Sequence, residues 1–251
     1  MKKKLRGFYL LLSSFILSIL HFTFAFAKPG GGNKLFFHPF SELIENGSNN
    51  HPPTSGLVHK NLYDSLHLNL RGMSIEAFEF AKKGLSKLAS EGKLLNDSVI
   101  SIIDFSLPSN RKRLFILDMK NYKVLFNTLV AHGRNTGREW ATSFSNKNSS
   151  YQSSPGFYIT RETYQGKHGL SLKLDGIESG INDNAYERGI VMHGAEYVSE
   201  ALANAQGFIG RSQGCPSVPV NISTPIINTI KNGTCLFIFH PSYIDRSVVL
   251  N

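Results

Sequence analysis

Cysteine is scarce in this chain of 251 residues: there are two, Cys215 and Cys235. No C-x-x-C, H-x-x-x-H or H-E-x-x-H spacing exists, so a zinc hydrolase has little support. There is no P-loop, no G-x-G-x-x-G and no internal repeat, so nucleotide-binding and solenoid readings find no motif to stand on. No stripe of basic and aromatic residues argues for nucleic acid. Acidic residues are also few, 18 against 27 lysines and arginines, for a net charge of +9.

Part of that charge belongs to a leader. Lys2, Lys3, Lys4 and Arg6 precede an apolar stretch from Phe8 to Leu20, and Ala25-Phe26-Ala27 offers the small-x-small site that a signal peptidase accepts. Residues 1–27 therefore read as a cleavable signal peptide, which predicts export to the periplasm or cell envelope with no stable membrane anchor afterwards. The mature charge falls to +5, because four of the 27 basic residues and none of the 18 acids lie in that segment. That balance suits a partner in an anionic envelope.

Residues 28–56 hold Pro29-Gly30-Gly31-Gly32 and Asn49-Asn50-His51-Pro52-Pro53, the composition of a flexible leader. Residues 57–98 read as a helical segment packing on the domain. Ser74 is its N-cap, Glu76 sits in the first turn, Gly92 ends it, and Ile75, Phe78, Ala81, Leu85 and Leu88 form one apolar face. Residues 99–251 then turn to short strands: 99–105, 113–118, 123–131, 157–160, 170–174, 190–193 and 235–239. The second and third are joined through Met119-Lys120-Asn121-Tyr122 as a hairpin, with Asp118 supplying turn chemistry. Helices are expected over 196–205 and from Pro225, as first helical residue, to Asn232-Gly233. Many short strands, few helices and no βα alternation predict a mostly β fold, a sandwich or barrel.

The chemistry concentrates between His193 and Pro219. Cys215 lies in a polar, glycine-rich loop, Arg211-Ser212-Gln213-Gly214-Cys215-Pro216, and Cys235 in an apolar strand where a thiol is inert. In an exported protein the two could also form a disulfide. Gly214 leaves room for a carbonyl to approach the backbone, whose N–H groups could hold an oxyanion. Two histidines, His132 and His193, follow apolar strands and precede glycine. His193 is the favoured base because its strand leads into the segment carrying Cys215, and His132 is its rival. His168 reads as a turn residue and His240 as the end of a strand. Ser212 is a candidate for hydrogen bonding within the loop or to substrate. The order His-then-Cys disfavours a papain-like peptidase, which places the cysteine first.

His193-Gly194 followed by Ser212-Gln213-Gly214-Cys215 resembles the signature of the L,D-transpeptidases, cysteine enzymes that cross-link peptidoglycan. Ser154-Pro155-Gly156-Phe157-Tyr158-Ile159 is similar to the stretch bordering that family's active site, and the resemblance covers roughly residues 99–240. Cys215-Pro216 looks like a divergent branch. Two positions depart from the family pattern: Ser217 stands where an arginine is usual, and Gln213 where histidine is common. Arg211 is the candidate to supply the missing charge.

The resemblance implies a cradle of β-sheets, no cofactor and no metal, and peptidoglycan stem peptides as partners. It implies Cys215 as nucleophile, His193 as base oriented by a backbone carbonyl, and the N–H groups of Gly214 and Cys215 as oxyanion donors. Gly194, Arg211 and Ser212 would contact substrate. An L,D-carboxypeptidase with the same residues, or a peptidoglycan-binding module without turnover, would share these features.

Overall fold

The computed structural model describes residues 61–251. The expected signal peptide and leader lie outside the described residues. A short helix, α1 (Leu62–Ser65), precedes the long helix α2 (Ile75–Ser90). Ser74 caps α2 by accepting the Ala77 N–H at 3.0 Å. Phe78, Ala81, Leu85 and Leu88 are buried as the period requires, but Ile75 is 52% exposed. Successive three-residue steps each fall about 60° short of a turn, which leaves Ile75 about 100° from the centre of the buried face.

Eight strands form one sheet in the order β3-β2-β1-β8-β4-β5-β6-β7. They are β1 (Val99–Asp104), β2 (Leu114–Asp118), β3 (Lys123–Thr128), β4 (Gly156–Gly166), β5 (Gly169–Gly176), β6 (Val191–Gly194), β7 (Ser217–Val218) and β8 (Cys235–Phe239). The β1–β8 and β6–β7 pairs are parallel and the rest antiparallel. The central strand β8 is buried on both faces, as a continuous apolar run should be. Cys235, Phe237 and Phe239 join α2 in one core cluster, and Leu236 and Ile238 point into another. Helix α2 therefore completes a core layer over β1 and β8.

The fold is mostly β, and one curled sheet replaces the sandwich alternative. Beyond Thr128 the chain leaves β2 and runs beside the cysteine loop. There Ala131 N–H donates to Ser217 O (2.8 Å), Ser212 N–H to His132 O (3.0 Å) and Arg134 N–H to Ser212 O (2.8 Å). These bonds join one edge of the sheet to the other and bring it close to a closed barrel. The 123–131 run thus divides its partners between β2 and β7.

Two elements are longer than their apolar runs. β4 continues to Gly166 because its polar half pairs charge with charge across β5, Arg161 with Asp175 and Lys173 with Glu162. The last α-helix, α4 (Val220–Ile230), begins five residues before Pro225, which lies inside it and not at its start. Pro219 caps it with φ −57°, and Ser223, Ile226, Ile227 and Ile230 are buried, so packing overrides the proline signal. α3 (Glu200–Gln206) starts later than expected, where Ser199 accepts the Leu202 N–H and Gly207 ends it at φ +80°. The Asp118 turn is made as expected: its carboxylate accepts from Lys120 N–H, Asn121 N–H and Asn121 Nδ2.

A close approach locks α2 to the sheet: a Cβ on Gly84 would lie 2.1 Å from Phe157 Cζ. Phe157 is stacked on Phe237 at 4.1 Å between ring centroids, so it cannot retreat without unstacking. Gly84→Val should lower stability by about 1–3 kcal/mol through overpacking, read as a lower urea midpoint at unchanged m-value.

Candidate active site

β6 and β7 lie side by side, parallel, with His193 opposite Ser217 and Gly194 opposite Val218. Cys215, two residues before Ser217, therefore falls level with Val191, and the two ends of the predicted motif meet across one strand pair. They open onto a groove of about 570 Å³ whose lining includes Cys215, His193, His168, Arg188, Tyr197 and Ser212. Arg134, Lys167 and Arg211 add positive charge, and among the described residues no carboxylate lines it.

Cys215 is partly exposed and Cys235 fully buried, and both are free. The disulfide alternative is thus not realised. Burial pushes the Cys215 thiol up, opposed by the Val191 N–H, the Arg188 guanidinium, its own N–H and Lys167. Burial likewise holds Cys235 far above the ordinary thiol range. The Cys215 sulfur faces the Gly189 carbonyl at 3.8 Å.

His193 is buried at the groove wall. Its Nδ1 donates to the Gly194 carbonyl at 2.9 Å, so a backbone carbonyl does orient the ring. Its Nε2 is 3.0 Å from Ser217 Oγ, and Ser217 Oγ is 2.9 Å from the Tyr197 hydroxyl. The direct thiol–imidazole hydrogen bond expected from sequence is not made; Nε2 is engaged by Ser217. Catalytic hydrogen bonds of this kind often tighten only when substrate arrives. Burial lowers the His193 pKa, with His168 and Lys167 adding to the effect and the Gly194 carbonyl opposing it.

His132, the rival base, is placed elsewhere. Its Nδ1 accepts from Arg113 Nη2 at 2.8 Å and its Nε2 donates to the Gly137 carbonyl at 3.2 Å. Burial and the adjacent Arg113 charge pull it down to about 3, so it stays neutral as a structural acceptor for a buried guanidinium.

Gly214 and Gly194 do other work than expected, and Ser212 makes the loop bonds that are one of its two expected roles. Gly214 has φ +123°, and a Cβ there would lie 2.8 Å from Gln152 O and 3.4 Å from Arg188 Nη2. The missing side chain makes room for the protein's own backbone, not for a substrate carbonyl. Its N–H donates to Ser212 Oγ at 3.0 Å, which removes it from the oxyanion donors. Ser212 Oγ in turn donates to Cys215 O at 2.6 Å, so this hydroxyl ties the loop together. Gly194 is turned away from the groove: a Cβ would lie 2.7 Å from Ser223 Oγ on α4. Arg211 does line the groove, with Nη1 donating to the carbonyls of Arg134 and Gly137 at 3.1 Å each.

Gly210-Arg211-Ser212-Gln213-Gly214 also fits the G-x-S-x-G pattern of a serine nucleophile elbow. The structural context rules that role out. The run is not a strand-to-helix turn, and both bonds of Ser212 Oγ go to its own loop.

Other groove residues have little or no signal in the sequence. Arg188 clasps the long polar loop, donating to Ser145 O (3.0 Å), Ser154 Oγ (2.6 Å) and Gln152 O (2.6 Å). Nothing periodic marks it, since its partners lie more than 30 residues away. His168 sits in the β4–β5 turn as expected, but its ring stacks on His193 at 4.4 Å and 17°. Ser217 does have a usable signal: strand alternation puts it on the same face as Cys215. Among the described residues no group of three or more His, Cys, Asp or Glu could hold a metal ion.

A family model described as the L,D-transpeptidase catalytic domain matches residues 69–239. The chain belongs to that family. The match begins ahead of α2 and takes in the helix along with the sheet. Among solved structures, an L,D-transpeptidase from Mycobacterium smegmatis is 10% identical with a TM-score of 0.37, covering 57% of this chain and 59% of its own. One from Mycobacterium tuberculosis H37Rv is 14% identical with a TM-score of 0.35, covering 57% and 58%. The helical cell shape determining protein Pgp2 from Campylobacter jejuni is 11% identical with a TM-score of 0.38, covering 63% and 54%. The chain thus spans less than two thirds of the length of each. No curated protein sequence matches it.

The direction of the two pKa shifts sets a testable resting state. A raised thiol and a lowered imidazole leave both groups neutral near pH 7. Iodoacetamide labelling of the native protein should modify Cys215 alone, at a rate still climbing above about pH 8.5, the ordinary thiol value. Cys235 should label only after unfolding, as counted by intact mass.

Proposed function

We propose that the chain is an exported cysteine acyltransferase acting on peptidoglycan stem peptides, with Cys215 as nucleophile and His193 as base. The observation that carries this reading is the strand pairing that opens a partly exposed thiol and an oriented imidazole onto one groove. The positive lining supports it, since a stem peptide ending in diaminopimelate and D-alanine presents carboxylates.

The proposed chemistry runs in two steps. Ser217 O–H leaves His193 Nε2, which takes the Cys215 proton as the sulfur attacks the carbonyl at the L-centre of the diaminopimelyl residue. The C–N bond to D-alanine breaks, and the proton on Nε2 passes to the departing amine. An amine of a second stem then attacks the thioester and restores the thiol. With Gly214 N–H committed to Ser212, the Cys215 N–H is the oxyanion donor of this loop. Arg211 and Lys167 face the groove and are the groups proposed to hold the substrate carboxylates. Export is part of the same proposal and predicts a mature N-terminus at Lys28, which N-terminal sequencing of secreted protein checks.

Incubation with a carbapenem should add one drug mass to Cys215, and Cys215→Ala should add none. His193→Ala should slow acylation about 10²–10⁴-fold. With purified muropeptides, cross-linked dimers would establish transpeptidation, and trimmed tripeptides a carboxypeptidase. Sacculus binding with neither adduct nor product would refute the enzymatic reading in favour of a binding module.

A further inference from the structure

The hydrogens around His193 can be placed without choice. A carbonyl oxygen only accepts, so the bond to Gly194 O requires the proton on Nδ1. Nε2 of the neutral ring is then an acceptor, and Ser217 Oγ must donate to it. That uses the serine's one hydrogen, so the Tyr197 hydroxyl donates into a Ser217 lone pair. The result is a one-way chain, Tyr197 O–H to Ser217 O–H to His193 Nε2. Ser217 is fully buried and directly opposite His193 on the neighbouring strand, while Tyr197 lines the groove.

We propose that Ser217 and Tyr197 are positioning residues for the base, a hydroxyl chain that fixes the His193 ring and occupies the Nε2 lone pair until Ser217 swings off it to admit the thiol proton. The inference deepens the acyltransferase reading and rests on it for treating His193 as the base. It gives a role to the position where the family pattern has arginine. Ser217 acts through His193 and does not touch the reacting carbonyl. A donor to the neutral ring disfavours its protonation, and the serine cannot turn to accept from a protonated Nε2 unless Tyr197 turns as well. Other titratable or charged groups face this ring: His168, stacked upon it, and Lys167 from the same turn, while Cys215 lines the same groove.

The test is an NMR titration of the His193 imidazole in the intact chain, its signal assigned as the one lost in His193→Gln. It is repeated in a Cys215→Ala background to remove coupled titration of the thiol. Ser217→Ala should raise the His193 pKa by about half a unit to one unit, the scale of one hydrogen bond. Tyr197→Phe should shift it the same way, and Ser217→Thr, which keeps the hydroxyl, should restore the original value. In turnover, Ser217→Ala should move the acid limb of the pH profile upward and lower kcat about 10–100-fold with little change in KM. A pKa that stays in place or falls in Ser217→Ala would overturn the proposal, as would Ser217→Thr behaving like Ser217→Ala. The titration needs no turnover, so a chain that never forms a carbapenem adduct would sink the acyltransferase reading and still show whether the hydroxyl chain sets the His193 pKa.

Discussion

Two strands of four and two residues, lying parallel and in register, bring His193 and the cysteine loop to one groove. An isolated β7 of two residues has almost nothing to hold it. It persists because it is bonded on both edges: Ala131 N–H donates to Ser217 O on one side, and Ala195 N–H donates to Val218 O at 2.9 Å on the other. The same contacts bring one edge of the sheet against the other. Closing the barrel and assembling the site are therefore one event, and a register slip of one residue would turn Cys215 and Ser217 away from His193 together.

Around that strand pair the protein sets a neutral thiol and a neutral imidazole in a positive field. Burial raises the thiol and lowers the imidazole, so the resting pair carries no charge. Arg188 supplies positive potential near the sulfur. Its own hydrogens go to the carbonyls of Ser145 and Gln152 and to the hydroxyls of Ser150 and Ser154, so it is satisfied without a substrate. Ionising the thiol inside this field costs less than burial alone would demand, because cations stand ready on the groove side.

Much of this is legible in the sequence. The helix cap at Ser74, the Asp118 turn, the apolar run of β8 and the pairing of His193 with the cysteine loop all rest on local pattern, and local pattern carries that information. What the sequence hides depends on contacts distant along the chain. Arg188 shows no periodicity, and its meaning lies in carbonyls over 30 residues away. His132 and His193 look alike in sequence, each after an apolar strand and before glycine. The buried Arg113 helps to separate them, by claiming His132 Nδ1. Gly214 reads as space for substrate, while the space is filled by the Gln152 carbonyl, which no motif announces. Pro225 reads as a helix start because proline favours that position, and burial of Ser223 with Ile226 and Ile227 draws the helix back to Val220.

The departure at Ser217 has a physical logic of its own. That side chain is fully buried and points at His193 Nε2, with the Tyr197 hydroxyl behind it. An arginine there would need the room Tyr197 occupies. It would also place a fixed charge against a ring whose pKa burial, His168 and Lys167 already lower. A further charge there would weaken the ring's hold on a proton still more. A serine keeps the position neutral and still bonds the ring, and the cations Arg188 and Arg211 stand on the groove side.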